Sequence, residues 1–228
     1  MKKKVAFFDI DGTVFRSSLL IQLVDELIEE EVFPADTAFE YESELIAWQN
    51  REGSYEDYID AVVGAFIKNI KGVFYGDLAD VGRQVVARQS KRVYKYTRDL
   101  ITELKSDGYF VVAISQSPKT ILDDFCEQYG FDKVYGRIYD LGPQDHFTGE
   151  VIDEHLIANK ANIVTRVLEK EDVDLTDSVA IGDTEGDISL LEKVERPICF
   201  NPNQKLYDHA KRNGWEVVVE RKDVVYKL

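Results

Sequence analysis

Short apolar runs alternate with helical periodicity over much of the 228-residue chain. The run from Val5 to Ile10 is apolar except for Asp9 and leads into Asp11 and Gly12, a pattern typical of a buried strand that ends in a tight loop. From Tyr109 onward, apolar runs and amphipathic stretches follow one another in turn. The further predicted strands are 109–114, 134–139, 148–152, 178–181, 197–200 and 215–219, with helices at 119–129, 161–169, 188–194 and 205–212. This rhythm predicts an α/β fold with a doubly wound, mostly parallel, Rossmann-like sheet covered on both faces.

A long helical block separates the first two predicted strands. Apolar residues recur at spacings of three and four from Leu19 to Ile28 and again from Tyr58 to Ile67. Because the block is too long for one crossover, we interpret residues 17–90 as an inserted all-helical cap. Residues 1–16 and 91–228 would then form the α/β core. If the chain leaves and re-enters at the carboxyl ends of the strands, the cap can close over the edge where open α/β sheets bind ligands.

The composition narrows the range of partners. Hydrophobic residues make up 44% of the chain and charged residues 31%, which indicates a folded chain with a substantial core. The 28 basic residues are outnumbered by 43 acidic ones, a net charge of −15, so we expect no nucleic-acid partner and no membrane surface. A phosphorylated small molecule would bind only where a metal ion or a local basic cluster inverts this field.

The cysteines and the N-terminus point to an intracellular setting. Cys126 and Cys199 are far apart and form no C-x-x-C pair, so we expect buried, reduced thiols. The apolar run after Lys4 is interrupted by Asp9, which makes it too short for a signal peptide. We therefore expect a cytoplasmic protein, as a monomer or homodimer.

Polar clusters follow three of the predicted strands. Asp9 and Asp11 stand one residue apart after the first strand, where two carboxylates can hold a divalent cation or supply a nucleophile and a general acid. Gly12 lets the chain turn, and Thr13 offers a hydroxyl and an amide. An Asx-rich turn is the alternative reading of this segment.

Ser115 and Lys160 are candidate anion contacts. Ser117 is followed by Pro118 in the preferred first helical position, so we interpret Ser117 as the helix N-cap and leave Ser115 free to contact phosphate. Asn159 is a plausible N-cap that places Lys160 at a helix start, where a cation is unfavourable unless an anion lies beside it. A solvated surface lysine is the alternative for Lys160.

The segment from Ala180 to Asp187 adds a third acidic cluster. Asp183 sits at a strand end and can bind a metal, Asp187 can bind a metal or favour the helix start, and Glu185 is expected to face solvent. Acids gathered at one sheet edge repel each other unless a cation neutralises them, and oxygen ligands of this kind suit Mg²⁺.

In this order and spacing, the motifs resemble those of the haloacid dehalogenase superfamily of hydrolases. The chain is most similar to its phosphoserine-phosphatase-like branch, subfamily IB, with a helical C1 cap. The resemblance implies that Asp9 attacks phosphorus and becomes an aspartyl-phosphate, while Asp11 protonates the leaving group and then deprotonates water. It implies phosphate contacts from Thr13, Ser115 and Lys160, and Mg²⁺ ligands from Asp9, the Asp11 backbone carbonyl and Asp183, with Asp187 either supporting the metal site or pairing with Lys160.

These roles imply a Mg²⁺-dependent phosphomonoesterase acting on a small phosphorylated metabolite. A phosphotransferase on the same fold and a non-catalytic phosphate-binding or phosphoaccepting module are the alternatives. Ser18 occupies the position where phosphoserine phosphatases carry a glutamate that reads the substrate amino group. Arg16 and Ser18 either face the substrate or form the hinge into the cap, and Tyr55, Tyr58 and Phe66 are expected to pack between cap helices.

Overall fold

A mixed eight-stranded sheet forms the centre of the molecule in the computed structural model, which describes residues 2–228. Its strands are β1 (Lys3–Asp9), β2 (Phe110–Pro118), β3 (Lys133–Leu141), β4 (Phe147–Ile152), β5 (Val173–Gly182), β6 (Arg196–Phe200), β7 (Glu216–Arg221) and β8 (Val224–Lys227). They lie in the order β4-β3-β2-β1-β5-β6-β7-β8. The six inner strands are parallel, and β4 and β8 add antiparallel edges. The predicted α/β fold with a mostly parallel sheet is confirmed.

The central position of β1 brings the polar clusters together. Asp9 is in register with Ile114 of β2, and Phe8 is in register with Ile181 of β5. Because parallel strands share a carboxyl edge, the residues that follow these positions emerge side by side. The apolar residues of β1 from Val5 to Phe8 are fully buried, which fixes this register.

Helices cover the sheet and form the insertion. Within residues 2–228 they are α1 (Leu19–Glu29), α2 (Glu42–Gln49), α3 (Tyr55–Ile70), α4 (Tyr75–Gln89), α5 (Lys95–Ser106), α6 (Lys119–Glu127), α7 (Glu154–Ala158), α8 (Lys160–Lys170), α9 (Ile188–Leu191) and α10 (Gln204–Asn213). Helices α1 to α4 form the predicted helical insertion between β1 and α5.

The insertion shares its core with the sheet. Leu23 of α1 and Val62 of α3 belong to the same buried apolar cluster as Phe8 of β1. Phe66 of α3 also packs on Tyr139 of β3, with ring centroids 5.1 Å apart. Helix α2 buries none of its residues. The insertion is therefore anchored to the sheet through α1, α3 and α4, while α2 lies on the outside and packs on α3 through Trp48.

Several boundaries differ from the sequence prediction. Strand β2 continues to Pro118 instead of ending at Ile114. Strand β8 was not predicted, because all four of its residues are exposed and it has no buried face to produce an alternating pattern. The short helix α7 was also missed, since five residues are too few for a helical period to stand out.

No helix within residues 2–228 is both long enough and apolar enough to cross a membrane. Cys126 and Cys199 are buried free thiols, as expected.

Candidate active site

The loop after β1 is shaped by Gly12. Its φ of 84° is a left-handed conformation, and a Cβ at this position would collide with the carboxylate of Asp183. The Gly12 amide donates to the carbonyl oxygens of Phe15 and Ser17, each at 3.0 Å. A glycine is therefore required for this loop to pass close to the end of β5.

Asp9 lies at the bottom of the site with its two carboxylate oxygens in different environments. Oδ1 accepts a hydrogen bond from Lys160 Nζ at 2.5 Å, whereas Oδ2 is buried and has no hydrogen-bond partner among the described residues. Burial raises the pKa of Asp9 to about 7, with further contributions from the charges of Asp187 and Asp11, while Lys160 opposes the rise. One oxygen of Asp9 is thus held in place and the other is free to react.

Asp11 is held by three donors. Its Oδ1 accepts the backbone N–H of Leu19 at 2.5 Å, and its Oδ2 accepts the hydroxyls of Ser115 and Ser117. Burial raises the pKa of Asp11 above its ordinary value, and the hydrogen bonds from Ser115, Leu19 and Ser117 oppose that rise. A carboxyl group with a raised pKa is suited to hold a proton as a general acid.

Ser117 is not the helix N-cap that the sequence predicted. The N-cap of α6 is Pro118, which makes no side-chain capping bond. Because β2 stays extended to Pro118, Ser115 and Ser117 point to the same face of the strand. Ser117 Oγ donates to Asp11 Oδ2 at 2.8 Å and accepts the Leu20 amide at 3.1 Å. The Ser-x-Ser spacing in an extended segment is the sequence signal that would have revealed this contact.

Lys160 is a buried cation at the start of α8. Asn159 caps the helix by accepting the amide of Ala161 at 3.0 Å, as predicted. Lys160 is only 8% exposed and forms ion pairs with Asp9 and Asp187, so the solvated-lysine alternative is wrong. Burial works against its charge, yet Asp187 and Asp9 raise the pKa of Lys160 above its ordinary value. The lysine therefore stays positively charged beside the free oxygen of Asp9.

Asp187 and Asp183 complete the acidic edge. Asp187 is fully buried, and its Oδ2 accepts the amides of Asp183 and Thr184 at 3.0 and 3.1 Å while Oδ1 is paired with Lys160. Burial raises the pKa of Asp183 well above its ordinary value, and Asp9 and Asp187 add to the effect. Thr13, also fully buried, donates its hydroxyl to Asp183 Oδ1 at 3.2 Å.

Three carboxylates could hold a metal ion here. Asp9, Asp183 and Asp187 each offer one oxygen, and these oxygens lie within 4.8 Å of one another. Lys160 forms ion pairs with two of these carboxylates, but one positive charge does not neutralise three negative ones. A divalent ion would remove the remaining repulsion among the carboxylates. A set of oxygen ligands fits Mg²⁺. The Asp11 carboxylate is outside this group of three, and its oxygens accept hydrogen bonds from Leu19, Ser115 and Ser117.

A cavity of 110 Å³ is lined by Asp9 and, on another wall, by residues of α3. Its lining consists of Asp9, Asp11, Ser18, Leu20, Tyr55, Glu56, Ile59, Asp60, Val63, Gln116, Ser117, Lys160, Asp183 and Thr184. The contributions from α3 come at helical spacing, so one face of this helix looks toward the carboxylates. The insertion thereby supplies one wall of the site.

The two candidate specificity residues are placed differently. Ser18 lines the cavity and also caps α1 by accepting the Ile21 amide at 3.4 Å. Arg16 lies outside the cavity lining, where it forms an ion pair with the buried Glu220 at 2.7 Å and lies over the ring of Tyr94.

The insertion holds cavity residues that the sequence prediction missed. Tyr58 and Phe66 are buried in the core as expected, and Tyr55 packs on Trp48 of α2 as expected while also lining the cavity. Glu56 and Asp60, also in the lining, were not predicted; their four-residue spacing beside Tyr55 was the available signal. Glu185, expected to face solvent, is instead paired with Lys205 at 2.5 Å.

Comparison with known proteins bears on this arrangement. A family model described as haloacid dehalogenase-like hydrolase matches residues 6–192. A Streptomyces azureus protein named inhibition of morphological differentiation protein is 30% identical over 126 residues, which are 55% of this chain and 46% of that relative. The chain therefore spans less than half the length of that relative.

Two relatives match over nearly their whole length. A phosphoserine phosphatase of Methanocaldococcus jannaschii is 25% identical and covers 98% of this chain and 95% of its own. A histidinol-phosphatase of Neisseria meningitidis serogroup C is 24% identical, with 95% and 98% covered. A solved structure described as a phospho-aspartyl intermediate analogue of phosphoserine phosphatase superposes with a TM-score of 0.62 at 23% identity, over 98% of this chain and 96% of that one. The chain belongs to the haloacid dehalogenase-like hydrolase family, in its phosphoserine-phosphatase-like branch.

Proposed function

We propose that this chain is a Mg²⁺-dependent phosphomonoesterase that hydrolyses a small phosphorylated metabolite through an aspartyl-phosphate. The observation that carries the proposal is the asymmetry of Asp9. One carboxylate oxygen is held by Lys160, and the other is buried, unpaired and at the bottom of a cavity. Burying an oxygen that loses its hydration and gains no hydrogen bond costs free energy. A buried oxygen without a partner is consistent with a nucleophile that is kept free for its substrate.

The first step uses Asp9 and Asp11 together. Asp9 Oδ2 attacks phosphorus, the bond from phosphorus to the ester oxygen breaks, and the Asp11 carboxyl transfers its proton to that leaving oxygen. In the second step Asp11 takes a proton from water, the water oxygen attacks phosphorus, and inorganic phosphate leaves while Asp9 is regenerated. The raised pKa of Asp11 supports its role as the proton carrier.

The phosphoryl oxygens need positive charge and hydrogen-bond donors. Lys160 supplies a charge that its two carboxylate partners maintain. We assign Ser115 to binding the phosphoryl group. Once Asp11 is protonated, the Ser115 hydroxyl can donate its hydrogen bond to a phosphoryl oxygen instead of to Asp11. The Thr13 side chain is committed to Asp183, so we assign this hydroxyl to positioning the carboxylate. Any phosphate contact of Thr13 would come from its backbone.

Mg²⁺, when bound, supplies charge neutralisation of the phosphoryl group and of the acidic edge. Asp9 and Asp183 would hold it directly, with the Asp11 backbone carbonyl as a further ligand. Asp187 already uses both oxygens to hold Lys160 and the amides after β5. We therefore propose that Asp187 mainly positions Asp183 and Lys160.

The two full-length relatives support the reaction class. One is named a phosphoserine phosphatase and the other a histidinol-phosphatase, and they are 25% and 24% identical to this chain. Both names describe hydrolysis of a phosphate ester of a small metabolite. The two relatives are named for different substrates, although they are nearly equally identical to this chain. Sequence similarity therefore supports hydrolysis of a phosphate ester but does not identify the substrate, which depends on the residues that line the cavity.

Hydrolysis of p-nitrophenyl phosphate tests the proposal. We expect turnover with Mg²⁺, none in excess chelator, and none for Asp9→Asn. Hydroxylamine trapping should give an acyl hydroxamate in the wild type during turnover and none in Asp9→Asn. Asp11→Asn should lose more activity on an alkyl ester than on the aryl ester, whose leaving group hardly needs a proton. Full activity in chelator, or in Asp9→Asn, would refute the proposal.

A further inference from the structure

The face of α3 that closes the cavity is acidic. Tyr55, Glu56, Ile59, Asp60 and Val63 form this face, which we call the α3 wall. Their spacing of three and four residues places them on one side of the helix. Glu56 is half-buried, and Asp60 is exposed at the rim. Two carboxylates thus face a site that must accept an anionic phosphate.

Neither carboxylate of the α3 wall is neutralised within the described residues. Glu56 and Asp60 form no ion pair and accept no hydrogen bond there. The neighbouring Glu185 already has Lys205 as its partner. Burial raises the pKa of Glu56, and the charges of Glu185 and Asp60 add to the rise against a smaller effect of Lys205. The two carboxylates of the α3 wall therefore have no direct ion-pair partner among the described residues, and Lys205 acts on Glu56 only at longer range.

The other residues that line the cavity provide no free cation to neutralise these two carboxylates. Lys160 is the basic residue among those that line the cavity, and it is engaged by Asp9 and Asp187. The cavity opens there on Asp9, which is 5% exposed and has an unpartnered Oδ2. A ligand that fits must place phosphate at this end and positive charge against the α3 wall.

The cavity has a volume of 110 Å³ and is partly open at its rim. A phosphate and a short chain fit within it, and a ligand of this kind would place its cationic group close to the ester oxygen. No lining residue offers a free cation for a carboxylate on the same ligand.

We infer that Glu56 and Asp60 select phosphate esters of small amino alcohols: a phosphate, a short carbon chain and an ammonium group, without a carboxylate. This inference rests on the proposed phosphomonoesterase activity and adds the substrate class. The ammonium group lies against the α3 wall as phosphorus reaches Asp9. Ser18 also lines the cavity, with its hydroxyl capping α1, and an uncharged hydroxyl cannot replace a carboxylate as partner for the ammonium.

Three esters that share a two-carbon arm next to the phosphate test the inference. They are phosphoethanolamine, 2-hydroxyethyl phosphate and O-phosphoserine, compared by kcat/KM with Mg²⁺. We expect phosphoethanolamine to be preferred over 2-hydroxyethyl phosphate by about tenfold or more, as for a partly desolvated charged pair. Phosphoserine should be a poorer substrate than phosphoethanolamine, because its carboxylate meets the acidic wall unpaired.

The variants Glu56→Gln and Asp60→Asn should each lower the ratio of kcat/KM for phosphoethanolamine to that for 2-hydroxyethyl phosphate, Glu56→Gln by about tenfold. Glu52→Gln is the matched control, since Glu52 is exposed, precedes α3 and does not line the cavity. It should leave the ratio unchanged.

The outcomes separate the two proposals. No Mg²⁺-dependent hydrolysis of p-nitrophenyl phosphate would refute the phosphomonoesterase itself. Hydrolysis of p-nitrophenyl phosphate with no preference for the amine ester, or with a ratio unaffected in Glu56→Gln and Asp60→Asn, would overturn only the substrate class. A preference for phosphoserine over phosphoethanolamine would overturn it as well.

Discussion

Asp9 should weaken the fold when no metal is bound. The residue is 5% exposed, one of its carboxylate oxygens lacks a partner among the described residues, and its pKa rises from 3.8 to about 7. Such a rise costs the folded protein at most about 4 kcal/mol once the group is ionised. The unfolded chain pays no such cost, because the group is solvated there.

The sign of the pH dependence follows from the raised pKa. The folded state holds the proton more tightly than the unfolded state, so the cost is absent below about pH 4 and complete above about pH 7. In Asp9→Asn the side chain does not ionise, but its buried amide still lacks a hydrogen-bond partner, which lowers the stability by about 1–2 kcal/mol. In chelator near pH 8, Asp9→Asn should therefore be more stable than the wild type by about 2–3 kcal/mol. The advantage should vanish near pH 4.

Urea unfolding measures this difference directly. The two tryptophans, Trp48 and Trp215, report the transition by fluorescence in chelator at several pH values. Asp36→Asn, which removes an exposed carboxylate, is the control and should match the wild type at each pH. Mg²⁺ should stabilise the wild type more than Asp9→Asn. A destabilised Asp9→Asn near pH 8 in chelator would show that Lys160 fully compensates Asp9 and that the reasoning is wrong.

Three further substitutions probe the loops around Asp9. Ser117→Ala should lower the free energy of unfolding by about 1–2 kcal/mol and reduce kcat more on alkyl than on aryl phosphates, because Asp11 loses a donor. Equal losses on both esters would contradict a contact between Ser117 and the proposed general acid. Gly12→Ala should abolish activity in a protein whose circular dichroism stays native, since a Cβ there displaces Asp183. Arg16→Ala should leave KM for p-nitrophenyl phosphate unchanged, and a large rise would place Arg16 at the substrate.

The acidic residues could be predicted from the sequence because their positions depend on local pattern and on one rule of topology. Asp9 and Asp183 each follow an apolar run, and parallel strands bring such ends to one edge. Lys160 was predicted from an N-cap that the structure contains. Each of these inferences used only neighbouring residues and the expected fold.

The residues that could not be predicted depend on distant partners. Whether β2 ends at Ile114 or continues to Pro118 is settled by Ser117, which bonds to Asp11 across 106 positions and to the amide of Leu20. Arg16 is held by Glu220, 204 positions away. The acids of the α3 wall look like an ordinary solvated helix face until the position of α3 over the cavity is known. Sequence pattern carries no direct signal for such pairings.

The exposed position of α2 bears on how substrate reaches Asp9. Helices α1, α3 and α4 share buried residues with the sheet, so swinging the whole insertion outward would expose a large apolar area. Helix α2 has no buried residue, and Trp48 at its end, which stacks on Tyr58, is 38% exposed. Its amides, with those of the first turn of α3, should exchange with solvent deuterium far faster than those of α1. We expect entry to the cavity through local unfolding of this segment, with a low free energy of opening, while the rest of the insertion remains part of the cooperative core.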